Sequence, residues 1–129
     1  MRVTRVYATD DGGSAFEDVD IELTDRGMVG KLSERVRASD VAFRENSPDY
    51  DWDWHCAPAR QLIVLLDGAI EIEVTSGEKR ALGGGDVLLM EDTSGRGHRT
   101  RTTDGRSRRS LFIRLPADVQ LPRRAAGDG

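Results

Sequence analysis

The sequence predicts an all-β domain, a sandwich or barrel of short strands. Apolar and polar residues alternate over runs of five to seven positions instead of recurring at the three-and-four spacing of a helix. Turn-forming Gly, Asp, Asn and Pro interrupt these runs at nearly regular intervals. No stretch carries a sustained helical stripe. With 129 residues the chain has room for one domain.

Taken in order, residues 1–7 read as an edge strand, and Asp10-Asp11-Gly12-Gly13-Ser14 as a turn. Val19 to Leu23 alternates like a second strand, and Leu32 to Arg37 allows at most a short helix with Ser33 as its cap. In Ser39 to Glu45, Val41 and Phe43 fall at period two, which predicts a strand burying that face. In Asp51 to Cys56, Asp51, Asp53, His55 and Ala57 share one face while Trp52, Trp54 and Cys56 share the other. If His55 looks inward, both tryptophans look away, unless a bulge near Pro58 reverses the assignment.

Gln61 to Leu66 is apolar after its first residue and reads as a strand buried on both faces. Gln61, Ile63 and Leu65 point inward together, so Leu62, Val64 and Leu66 need cover, which a homodimer would supply. Asp67-Gly68 reads as a two-residue hairpin turn. Ile70, Ile72 and Val74 then alternate with Glu71, Glu73 and Thr75. Lys79 to Leu82, Val87 to Met90, Gly97 to Thr102 and Arg108 to Leu115 complete the strands.

Composition narrows the function classes. A formal charge of −4 argues against a general positive field for nucleic acid. Cys56 is the only cysteine, so no intrachain disulfide is expected and the chain reads as made for a reducing compartment. The amino terminus lacks a signal-peptide core and no run approaches the length that spans a bilayer, so a cytoplasmic protein without membrane attachment is expected. Six arginines between Arg96 and Arg109 read as a solvated outer hairpin in preference to an anion site. Arg60 and Arg101, nearest the motifs below, are the exceptions and are candidate substrate ligands together with Ile63. Asp92 is explained by turn chemistry, and Cys56 as a small buried hydrophobe.

Two stretches carry the chemistry. His55, Ala57, Gln61 and Gly68 fall on the spacing His, any residue, His, three or four residues, Glu, six residues, Gly. Gly85 and His98 take the outer places of a second pattern, Gly, five residues, Pro, any residue, Gly, two residues, His. Glu91 stands in the Pro position, and the run to His98 is two residues longer. In this the chain resembles the cupins over roughly residues 36–116. The resemblance implies a double-stranded β-helix, or jelly-roll barrel, over 36–116. It leaves residues 1–35 as amino-terminal strands packed on the barrel and 117–129 as a flexible tail.

The resemblance also implies that His55 and His98 face one another inside the barrel. A divalent transition metal (Zn, Fe, Mn or Ni) would then be held by His55, Gln61 and His98, although Ala57 and Gln61 replace a histidine and a carboxylate of the family's set. The residues leave a metal-free alternative open, in which the two imidazoles are an acid and base pair and Gln61 orients a substrate. Asp53, two residues before His55, is a candidate to set that ring's tautomer or to act as a base. The expected activity is that of a cyclase, isomerase or lyase on a small organic metabolite. A metal-dependent dioxygenase and a non-catalytic ligand-binding module are the alternatives.

Overall fold

A computed structural model describes residues 1–124 of the chain. Twelve strands account for nearly all of its regular structure: β1 (Arg2–Ala8), β2 (Ser14–Asp20), β3 (Thr24–Asp25), β4 (Lys31–Leu32), β5 (Asp40–Asn46) and β6 (Asp51–His55), then β7 (Gln61–Leu65), β8 (Ala69–Glu73), β9 (Lys79–Gly83), β10 (Val87–Glu91), β11 (His98–Thr102) and β12 (Arg108–Arg114). A 3-10 turn at Gly27–Val29 is the only helical element among the described residues, so the short helix at Leu32 to Arg37 does not form. No helix there is long and apolar enough to cross a membrane.

The strands form a six-stranded sheet in the order β2-β1-β10-β7-β12-β5 and a four-stranded sheet in the order β6-β11-β8-β9. Successive strands from β5 to β12 divide between the two sheets so that β10-β7-β12-β5 faces β6-β11-β8-β9. This is the strand order of an eight-stranded jelly roll. β1 lies between β2 and β10 and is therefore an interior strand of the sheet, not an edge.

Asp67-Gly68 is not a hairpin turn. β7 pairs with β10 and β12, whereas β8 pairs with β9 and β11, so this turn carries the chain from one sheet to the other. Gly68 adopts φ +79°, which the local reading anticipated; which strands the turn joins is decided by distant partners.

Alternation sorts the apolar residues into two cores. Val6, Leu65, Ile70, Ile72, Leu88 and Met90 pack inside the barrel, with Ile63 against them. Val3, Val19, Leu89, Leu115 and Leu121 form a second cluster, joined by Leu62 and Val36. Leu62 is thus covered by the same chain, which removes its need for a partner subunit. Leu121 is buried there and Arg123 bridges to Ile21, so residues 117–124 pack on the domain, contrary to the expected tail. Residues 125–129 of that expected tail lie outside the described residues.

Val41 and Phe43 depart from expectation. They sit on edge strand β5, and Phe43 is 85% exposed. Period two correctly predicted a strand, but it cannot say whether the apolar face meets anything.

Candidate functional site

The two histidines meet because β6 and β11 are neighbours: His55 stands opposite His98, with ring centroids 4.5 Å apart. Gly97, at φ +73°, makes the approach possible, since a side chain there would collide with the His55 carbonyl. Both rings line a cavity of about 270 Å3 between the sheets, near the lower end for small-molecule sites. Gln61 and Ile63 also line it, as their inward parity requires, and the rest of the wall is largely aliphatic and aromatic.

The register between β6 and β11 slips once. His98 faces His55 but Thr100 faces Trp52, so two residues on β11 span three on β6. This bulge inverts the expected alternation. Trp52 lines the cavity and stacks on His55, with centroids 3.7 Å apart and planes within 8°. Trp52 is also 51% exposed, so it forms part of the wall toward solvent.

Asp53 is pushed outward by the same slip. Its carboxylate does not line the cavity; its backbone carbonyl instead accepts a hydrogen bond from His55 Nδ1, at 2.8 Å. Because a carbonyl only accepts, neutral His55 carries its proton on Nδ1 and presents a lone pair on Nε2. Burial lowers the His55 pKa; the Asp53 carbonyl opposes this in part, and the nearby His98 lowers it further. His55 is therefore neutral at pH 7, with Nε2 free to accept a proton.

His98 is 5% exposed and its Nδ1 bonds to Asp92 Oδ2 at 2.5 Å. Asp92 is fully buried, and its backbone carbonyl accepts from the Ala57 amide, which ties this turn to the first motif. A carboxylate on Nδ1 fixes the ring and its tautomer, leaving Nε2 as the working nitrogen. The sequence reading missed this role for Asp92. The available signal was an acid six residues before the motif histidine, within the lengthened turn.

Two of the candidate substrate ligands lie elsewhere. Arg60 pairs with Glu91 and donates to the Val119 carbonyl. Arg101 alternates to the outer face of β11, where it pairs with Glu71 at 3.0 Å. Neither lines the cavity. Cys56 also stays outside it and donates to the Gly95 carbonyl.

The donor set fits a resident dication poorly. Among the described residues no three His, Cys, Asp or Glu side chains are grouped as metal ligands. The cavity offers two imidazoles and one neutral carboxamide, while Asp92 is committed to His98 Nδ1. Catalytic sites commonly supply three protein ligands, and a neutral carboxamide is a weaker third than an imidazole or carboxylate.

No family model matches the chain, and no curated protein sequence matches it. Solved structures similar to it include these three. Protein NMB1881 from Neisseria meningitidis shares 14% identity over 64% of this chain and 84% of its own, with a TM-score of 0.46. A cupin domain from Bordetella pertussis shares 18% identity over 77% of this chain and 96% of its own, with a TM-score of 0.46. A structure described as ethanolamine utilization protein Q from Salmonella typhimurium shares 15% identity over 92% of this chain and 98% of its own, with a TM-score of 0.34. By its strand order the chain is a small jelly-roll domain in which two histidine-bearing segments face one cavity.

Proposed function

We propose that this protein is a cupin-type enzyme that transfers protons on an organic small molecule, in the manner of a cyclase, isomerase or lyase. The observation that carries the reading is the imidazole pair. Two rings from distant segments meet in an apolar cavity, each with Nδ1 engaged, so that Nε2 is the nitrogen left on each for the substrate.

Neutral His55 takes a proton at Nε2 from an acidic position on the substrate. His98 returns one from its own Nε2, with the Asp92 carboxylate beside the ring when it carries charge. Mutual repulsion disfavours protonating both rings together, which suits one donor and one acceptor. Gln61 provides an amide donor and a carbonyl acceptor to orient a substrate oxygen. A metal at His55, Gln61 and His98 is not needed for any of these steps.

The test is turnover by the purified full chain on a library of small carbonyl compounds in D2O, followed by NMR. Replacing His55 or His98 with Ala is expected to lower the rate about 10²- to 10⁴-fold. Unchanged turnover in both variants overturns the reading. Stoichiometric iron with oxygen uptake would favour a dioxygenase, and ligand retention without turnover a binding module. A homodimer belongs to the same proposal, because edge strand β5 exposes Val41 and Phe43. Sedimentation that gives a monomer at micromolar concentration removes it.

A further inference from the structure

Two arginines of the cavity lack an ion-pair partner among the described residues, and Asp104 acts on Arg108 only from beyond contact distance. Arg108, on β12, is 4% exposed and lines the cavity. Its Nη1 donates to Thr102 Oγ1 at 3.2 Å, while its Nε has no partner. Arg44, on β5, lines the same end, and the two guanidinium carbons lie 5.0 Å and 5.2 Å from the Tyr50 ring centroid. Arg44 also lies 5.0 Å from the ring of Phe112.

Among the described residues the other arginines that are not exposed each have an acid: Arg5 and Arg60 pair with Glu91, Arg80 with Asp18 and Arg99 with Asp51. Among the described residues neither Arg44 nor Arg108 makes an ion pair. A guanidinium taken out of water without a counter-ion is costly, and a second one beside it adds repulsion. Burial and the charge on Arg44 accordingly hold the Arg108 pKa below its ordinary value. The stem of Arg108 nevertheless has its own berth. A Cβ at Gly68 would come within 3.1 Å of the Arg108 Cβ and 3.2 Å of its Cγ.

The cavity is thus polar at both ends and apolar between. His98 and Thr102 stand four residues apart on the inward face of β11, roughly 13 Å along the strand. His55 and Trp52 on β6, and Tyr50 just before it, follow the same direction, with Tyr50 and Trp52 edge to face at 6.3 Å. We propose that Arg108 and Arg44 bind the carboxylate of a monoanionic substrate whose apolar body lies along Trp52 and Ile63 and whose far end reaches the imidazoles. This deepens the proton-transfer reading and rests on it for where the reacting atoms lie. A carboxylate is preferred to a phosphate because a monoanion loses less hydration on entering an apolar cavity and still offers two oxygens to a guanidinium fork.

Calorimetric titration of the full chain tests this, using phenylacetate, 4-phenylbutyrate and octanoate, the amide of each, inorganic phosphate and phenyl phosphate. At least one carboxylate is expected to bind about tenfold or more tighter than its amide. Arg108→Met is expected to abolish that preference. Arg44→Met, on the half-buried partner at the sheet edge, is expected to reduce it and serves if the first variant does not fold. His98→Gln, which proton transfer requires to be inactive, is expected to keep the preference, so loss of catalysis and loss of anion recognition are read separately. Equal binding of acids and amides, a preference that survives in both arginine variants or disappears in His98→Gln, or tighter binding of phenyl phosphate would each overturn the assignment.

Discussion

The two faces of the six-stranded sheet are built from the same apolar alphabet and have opposite fates. On the outer face, Val3, Val19, Leu62 and Leu89 are closed over by Val36, Leu115 and Leu121. On the inner face, Ile63, Leu65, Leu88 and Met90 look across at β8 and β11 without filling the space, and a cavity of about 270 Å3 remains. The outer core serves stability, and the inner one gives up some packing to hold a ligand.

The contrast can be broken most severely at Gly97. Gly97→Ala introduces both a disfavoured φ and a clash with the His55 carbonyl, so a loss of about 4 kcal/mol, or failure to fold, is expected by chemical denaturation. A near-neutral result would mean that β6 and β11 need not approach so closely. Next comes the filled core: Leu89→Ala is expected to cost about 3 kcal/mol. Ile63→Ala, on the wall of an existing hollow, should cost nearer 1 kcal/mol, because fewer packed neighbours are lost. Equal losses would deny the difference between the faces.

His98→Leu should also destabilise at pH 7, by about 2 to 3 kcal/mol, because it strands the buried Asp92 carboxylate. Adding Asp92→Asn should recover part of that loss, and a double-mutant cycle measures how much.

The pH response follows from His55. Its folded pKa lies below the ordinary 6.5, so as pH falls the unfolded chain takes the proton first. This group's contribution is therefore intact above pH 6.5 and declines through the window between 6.5 and the folded pKa. By NMR the His55 ring should titrate below 6.5, and the acid limb of turnover should follow it. His98→Gln, which removes the neighbouring charge, should move that midpoint upward; a downward move contradicts the coupling. The smallest effect is expected outside: Arg101→Ala breaks an exposed pair with Glu71 and should change stability by less than about 0.5 kcal/mol.

The sequence was most legible where the signal is local. Alternation located β5, β6, β7, β8 and β12, and the inward set Gln61, Ile63 and Leu65 lines the cavity as the parity of one uninterrupted strand requires. Parity failed on β6, because one extra residue opposite β11 turned Trp52 inward and Asp53 outward. A bulge depends on both strands and leaves little trace in either alone. The arginine run shows a related limit. Arg108 shares its face with Ser110 and Phe112, so alternation would have placed it inside once Phe112 was taken as core, yet composition made the whole run look solvated.

By itself the amino-acid order determined an all-β domain and the approximate strands, since these follow from period-two patterning, while the pairing of the two histidines was implied by the resemblance of their segments to the cupin motifs. Tertiary structure alone decided which strands are neighbours, that Asp92 holds His98, and that Arg60 and Arg101 serve ion pairs while Arg44 and Arg108 face the cavity. The reason is that pairing partners and cover come from residues far away in the chain. A side chain's own neighbours in sequence fix its face, but not what that face meets.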